Sequence, residues 1–207
     1  MNFDVDHYIA FAEDRLTPQR FKHSLGVMQG MTELAVIYSL NQTTAMTAGI
    51  LHDIAKEFTS EDLLKFAGEN KIPLRTEYDM FPLFLHGPAG ARYVALQLGV
   101  TDPVTLDAIS RHSYFGDGTA LSAPFCWCLR FADILEPTRD WKEFKSQLKP
   151  FVYSGEIREA AYLLMNWLIP FHESMSLPVH PNMRRLLQEL SASLSEKDTN
   201  ESNELPV

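Results

Sequence analysis

The 207-residue sequence has only two cysteines, no long apolar run and no block of basic residues, and each shortage removes a class of protein. Cys126 and Cys128 stand two residues apart in one apolar stretch, where a bridge between them would be badly strained on a helix. A disulfide framework is therefore excluded, and a reducing compartment, the cytoplasm, is expected. No stretch approaches the ~18 apolar residues that a membrane helix needs, and the acidic start MNFDVDHYIA is unlike a secretory or transit signal. Lys and Arg number 18 against 27 Asp and Glu, a net charge of −9, so the phosphate-neutralising surface of a general nucleic-acid binder is missing. Residues 191–207, with Glu196, Asp198, Glu201 and Glu204 against Lys197, hold −3 of that charge and leave −6 for the rest. Any anionic substrate must be held by local cations.

What is present is a core. A content of 45% hydrophobic and 11% aromatic residues suits one globular domain, expected over residues 1–190, with 191–207 as a polar, disordered tail. Helical period dominates. Thr17-Pro18 opens a helix over about 18–39, with Phe21, Leu25, Met28 and Ala35 along it; a second is expected from Ala45 to Lys56. Thr59 with Asp62 reads as a capping box for a third. Pro73 and Pro82 bracket a loop; helices then follow from Gly87 to Leu98, capped by Gly99, and from Asp102-Pro103 to His112. After a loop over 113–122, Pro124–Leu135 reads as a buried helix stopped by Glu136-Pro137, and a last pair falls near 155–169 and 182–194. Without strand alternation, βαβ order or internal repeat, the fold is an all-α bundle.

Four of the seven histidines, His23, His52, His86 and His112, lie on or beside these helices among small or apolar residues. His52-Asp53 sits inside Gly49-Ile50-Leu51-His52-Asp53-Ile54-Ala55-Lys56, and an unpaired buried carboxylate costs ~1–7 kcal/mol unless something neutralises it. A metal ion would. Asp133, inside Leu129-Arg130-Phe131-Ala132-Asp133-Ile134-Leu135, reads alone as a surface acid or a partner for Arg130. With the others it completes an ordered set of six nitrogen and oxygen donors on five segments. Lys56, three residues after Asp53, falls on the same helical face and can direct its ammonium at phosphate; Arg139 is a second candidate and Arg20, one turn before His23, a third. Gly26 and Gly30 suggest close approach of the helix bearing His52-Asp53. His7, His172 and His180 have no partner pattern and read as surface or helix-end residues. Cys126 and Cys128 beside Trp127 read as core, as do most aromatics, although Tyr114-Phe115 in a glycine-rich loop could stack on a base.

The pattern resembles the HD-domain metal-dependent phosphohydrolases, and within them the YqeK-like symmetrical diadenosine tetraphosphate hydrolases, the bis(5'-nucleosyl)-tetraphosphatases. The matching stretches are Arg20-Phe21-Lys22-His23-Ser24, Ile50–Lys56, Leu85-His86-Gly87-Pro88-Ala89-Gly90-Ala91, Ala108-Ile109 with His112-Ser113, and Phe131–Arg139, with a motif core over 18–140. The resemblance implies an HD-domain helical bundle with His23, His52, Asp53, His86, His112 and Asp133 as metal ligands. Asp53 would bridge two ions, one with His23, His52 and Asp133, the other with His86 and His112. It favours iron, while imidazole and carboxylate donors also suit manganese or zinc. Asp53 and Lys56 take the catalytic roles, and Lys56, Arg139, Arg20 and Ser113 the substrate contacts. The implied reaction is attack by metal-bound hydroxide on a dinucleoside tetraphosphate, giving two nucleoside diphosphates. The loop after His112-Ser113 departs from the family's histidine-threonine pattern, which bears on substrate preference.

Three alternatives use the same residues: a nucleotidase acting on another nucleotide, a di-iron oxygenase, and a non-catalytic nucleotide-binding module. Open coordination positions disfavour the last, and the phosphate-directed cations disfavour oxygen chemistry. The expected partner is a small nucleotide, with neither nucleic acid nor membrane; a homodimer is left open.

Overall fold

The computed structural model describes residues 5–74, 81–113 and 124–203. Among them there is no strand. In chain order the helices are α1 (Val5–Arg15), α2 (Pro18–Ile37), α3 (Gln42–Leu51), α4 (Ser60–Glu69), a 3-10 turn (Pro82–Leu85), α5 (His86–Leu98), α6 (Pro103–Arg111), α7 (Pro124–Leu135), α8 (Lys142–Ser154), α9 (Ile157–Ser174) and α10 (Pro181–Asn203). The expected all-α bundle is therefore present, with local reasons for most of its ends. Thr59 and Asp62 form a reciprocal capping box before α4, Asp102 accepts the Thr105 N–H at the start of α6, and Gly99 ends α5 in the left-handed region at φ 64°. Thr17 does occupy the N-cap of α2, but its hydroxyl donates to Glu57 Oε1 at 2.8 Å instead of capping the helix.

Several expectations are corrected. Helices α1 and α8 fall where none was anticipated. Helix α3 stops at Leu51, and residues 52–57 continue in tighter turns with Lys56 N–H bonded to Asp53 O at 2.9 Å. Lys56 reaches the site from that turn rather than from a helical face. Helix α10 runs on through residues 191–203, into the stretch expected as a disordered tail.

Among the described residues, two apolar clusters form the interior. One gathers Tyr8 and Ala12 of α1, Ile50 and Leu51 of α3, Leu63 of α4 and Val94 of α5. The other gathers Met31 and Leu34 of α2, Trp127 and Phe131 of α7, Leu148 of α8 and Leu164 of α9. Each of the larger side chains contributes about 1.5–3 kcal/mol by leaving water. Helices α2 and α3 belong to both clusters, so residues at their facing ends lie on the seam.

Glycines set how closely these helices approach. A Cβ on Gly49 would lie 2.6 Å from Met28 Cα, so α3 and α2 touch backbone to backbone. A Cβ on Gly87 would lie 2.7 Å from Ser110 O, which brings the start of α5 against the end of α6. Gly26 and Gly30 admit a different neighbour from the one expected. They face Glu136 and Ala132, hence α7 and the turn after it, and the α2–α3 contact is made by Gly49.

Candidate active site

All six expected donors converge on the seam, and all are buried. His23 comes from the middle of α2, His52 and Asp53 from the turn after α3, His86 from the first position of α5, His112 from the end of α6 and Asp133 from α7. Three of the histidines share one local device. Nδ1 of His52 donates to Gly49 O at 2.8 Å, that of His112 to Ile109 O at 2.7 Å, and that of His86 to Leu83 O, each three residues back. A carbonyl oxygen can only accept, so each Nδ1 carries the proton and each Nε2 is left as a bare lone pair.

Those lone pairs crowd one carboxylate. Asp53 presents Oδ2 to His23 Nε2 at 4.0 Å and His52 Nε2 at 3.8 Å, and Oδ1 to His86 Nε2 at 3.6 Å and His112 Nε2 at 3.2 Å. His86 and His112 approach Nε2 to Nε2 at 3.0 Å, and His23 and His52 at 3.3 Å. Burial pushes His52 down to about 4 and lowers His86 well below the ordinary imidazole value, which keeps both rings neutral. Burial alone would raise Asp53, but the positive groups around it, the Lys56 ammonium among them, hold it well below the usual carboxylate range. Bare nitrogens and an anionic oxygen this close repel unless a cation lies among them. The donor set thus fits metal ions, in two groups that share Asp53: His23 and His52 on one side, His86 and His112 on the other.

His23 behaves differently. Burial pulls its pKa down, but Asp133 Oδ1 at 3.3 Å from Nε2 and Glu136 Oε1 at 3.0 Å from Nδ1 outweigh burial and raise it. A metal ion at Nε2 would substitute for the imidazolium proton. Glu136 is itself buried and held by the Thr138 N–H at 2.8 Å and hydroxyl at 2.6 Å. From the sequence Glu136 reads as a helix stop inside the matching stretch Phe131–Arg139, with no site role; its offset of three from Asp133 is the signal for one. Asp133 lies beside His23 but outside the two donor groups. Arg130 Nη1 donates to its Oδ2 at 2.8 Å, and Arg139 donates to its Oδ1 and, through Nε, to its carbonyl at 2.7 Å.

These residues open onto a cavity of about 590 Å³. Among the described residues, its charged lining contains four cations, Arg20, Lys56, Arg130 and Arg139, against Asp53 and Asp133. Arg20 Nη1 bonds Asp53 Oδ2 at 3.1 Å while its Nε bonds Glu57 at 3.2 Å, and Lys56 Nζ lies 3.1 Å from His86 Nε2. Ser113 also lines the cavity, and its buried hydroxyl has no hydrogen-bond partner among the described residues. Phe81, Phe84, Trp141, Leu168, Phe171 and Leu177 form an apolar wall. Arg130 and His172 were missed as cavity residues. His172 and His180 do fall at helix ends, His172 in the last turn of α9 and His180 just before α10, but His172 is half-buried in this wall and His180 is buried. Tyr114 and Phe115, considered as base-stacking rings, lie outside the described residues.

Residues 20–146 match the model of the HD domain, a span that contains every one of these donors. The chain belongs to the HD domain family. Among curated relatives, the symmetrical bis(5'-nucleosyl)-tetraphosphatase of Bacillus subtilis (strain 168) is 33% identical over 131 residues, covering 63% of this chain and 68% of that one. The protein of the same name from Halalkalibacterium halodurans is 27% identical over 163 residues, 75% of this chain and 85% of that one. The fold is similar to the crystal structure of a predicted HD superfamily hydrolase involved in NAD metabolism from Clostridium acetobutylicum. That match has a TM-score of 0.81 and 25% identity, and covers 92% of this chain and 98% of the other.

Proposed function

We propose that this HD-domain protein is a metal-dependent phosphohydrolase that splits diadenosine tetraphosphate symmetrically, adding one water to give two ADP. One observation carries the reading: in a chain of net charge −9, four cations are gathered in one cavity around the paired donor groups. Such a concentration suits a polyanion rather than a neutral substrate. The names of the two tetraphosphatase relatives support the choice of a dinucleoside tetraphosphate.

Two ions, with iron as the proposed element, would be held by His23, His52, Asp53 and Asp133 on one side and by Asp53, His86 and His112 on the other. When bound, such ions supply an acidified water and offset charge that builds on phosphorus. The chain's own groups do the rest. Carbonyl bonds at Nδ1 keep three imidazoles neutral and aimed inward, and Glu136 orients the fourth. Lys56 is positioned to hold a phosphate oxygen beside His86, and Arg139 to clamp another where it now grips Asp133. The apolar wall receives a nucleoside and keeps water from that end of the cavity. Two free, buried thiols support placing the protein in the reducing cytoplasm.

The experiment is anaerobic incubation of metal-loaded protein with diadenosine tetraphosphate, with products resolved by chromatography. ADP as sole product is expected. ATP with AMP, or no turnover, would overturn symmetrical hydrolysis. Including NAD in the panel tests the substrate class suggested by the Clostridium acetobutylicum neighbour, a predicted hydrolase involved in NAD metabolism.

A further inference from the structure

The apolar wall of the cavity contains an imidazole that the reaction does not use. His172, near the end of α9, lines the cavity together with Phe171, Leu168, Leu177 and Trp141. Among the described residues, the cavity's charged groups belong to the donor cluster and the cations around it, and His172 places an imidazole next to the aromatic and aliphatic side chains of the wall. Pockets for small ligands commonly pair an apolar wall with a few placed polar groups that fix orientation.

The hydrogen-bonding capacity of His172 is already half assigned. Its Nδ1 lies 3.1 Å from Pro178 O, which can only accept, so Nδ1 is the donor and Nε2 is an acceptor. Burial, with the Arg130 charge nearby, lowers its pKa and favours this neutral form. An acceptor contributed to the cavity lining next to Phe171 would reward a base whose edge carries an N–H.

Resting on the tetraphosphatase reading, we infer that the wall around Phe171 and Trp141 is a nucleobase subsite in which His172 Nε2 accepts a hydrogen bond from the exocyclic amine of a 6-aminopurine. A 6-oxopurine in the same pose would set its carbonyl oxygen against that lone pair and must shift in its plane to offer its N1–H instead. A purine lacking any 6-substituent would leave the imidazole without a partner. His172 is thus assigned to base selection, separate from the groups that hold metal and phosphate.

The test compares equilibrium binding of ADP, IDP and the diphosphate of purine riboside to metal-loaded wild-type protein, His172→Phe and His172→Gln. One neutral hydrogen bond corresponds to roughly a fivefold preference. Wild type should bind ADP about fivefold more tightly than the purine riboside diphosphate and discriminate more strongly against IDP. His172→Phe should bind all three alike. His172→Gln, whose amide oxygen can accept, should recover part of the preference. Equal affinities in wild type, or an ADP preference that survives in His172→Phe, would overturn the inference. Because product-type ligands are used, the result stands apart from turnover: loss of symmetrical cleavage sinks the function reading, whereas loss of base preference sinks only this subsite.

Discussion

Glu136 Oε1 meets His23 Nδ1 at 3.0 Å, on the ring nitrogen opposite the one that faces Asp53. A carboxylate in that position orients a metal-binding imidazole and raises its basicity, and its loss typically costs 10–100-fold in metal affinity. Glu136→Gln keeps the shape and removes the charge. Metal affinity by competition with a chelator should fall about 10–100-fold, with the helical circular dichroism unchanged.

Asp53 is the residue both donor groups share, one oxygen to each. Asp53→Asn should therefore empty both groups rather than one. Elemental analysis of the purified variant should find clearly less metal than wild type, and turnover should fall by about 10³-fold or more. Unchanged metal content would remove Asp53 from its bridging role.

Lys56 and Arg139 stand on opposite sides of the donor cluster, one against His86 and the other against Asp133. Lys56→Ala should retain metal while kcat/KM drops about 10–100-fold, as expected for one charge-assisted hydrogen bond to phosphate. Arg139→Lys keeps the charge but loses the two-pronged geometry, and should show a similar loss. A normal kcat/KM in either variant would exclude that side chain from substrate binding.

How much of this was legible beforehand depended on whether a residue's role lay in its own segment. His52-Asp53 announced itself because an acid beside an imidazole in Gly49–Ala55 has no cheap apolar explanation, and the Thr59 and Asp62 capping box is local by nature. Helix α1 was not legible because few of its side chains are buried, Tyr8 and Ala12, and α8 because Pro150 interrupts a single stripe of Phe144, Leu148 and Val152. The Arg130–Asp133 pair was legible because it is local, whereas the contact of Glu136 with His23 and the places of Arg130 and His172 in the cavity depend on residues far away in the chain. The end of α3 at Leu51 was equally hidden, since the apolar pattern runs on through Ile54 and Ala55 while the backbone tightens.

Alkaline stability follows from the buried thiols. Burial pushes Cys126 and Cys128 up to about 12 from an ordinary 9.0. Between these values the unfolded chain has released protons that the folded chain keeps. The unfolded state therefore binds fewer protons, and stability falls as pH rises from 9 towards 12. Thermal unfolding should show Tm declining over that range, less steeply in a Cys126→Ala, Cys128→Ala double variant. At pH 8 both thiols should resist alkylation until the protein is unfolded.

The contacts at Gly49 and Gly87 give the site a particular kind of robustness. The distance between His23 and His52 is governed by main chain touching main chain at Gly49, and that between His86 and His112 by the same kind of contact at Gly87. Neither spacing is transmitted through a stack of side chains that could be repacked. Substitutions spread over the two apolar clusters can accumulate while each pair keeps its separation. A single added methyl at position 49 or 87 has no such latitude, and each would pry apart one half of the site while leaving the other closed.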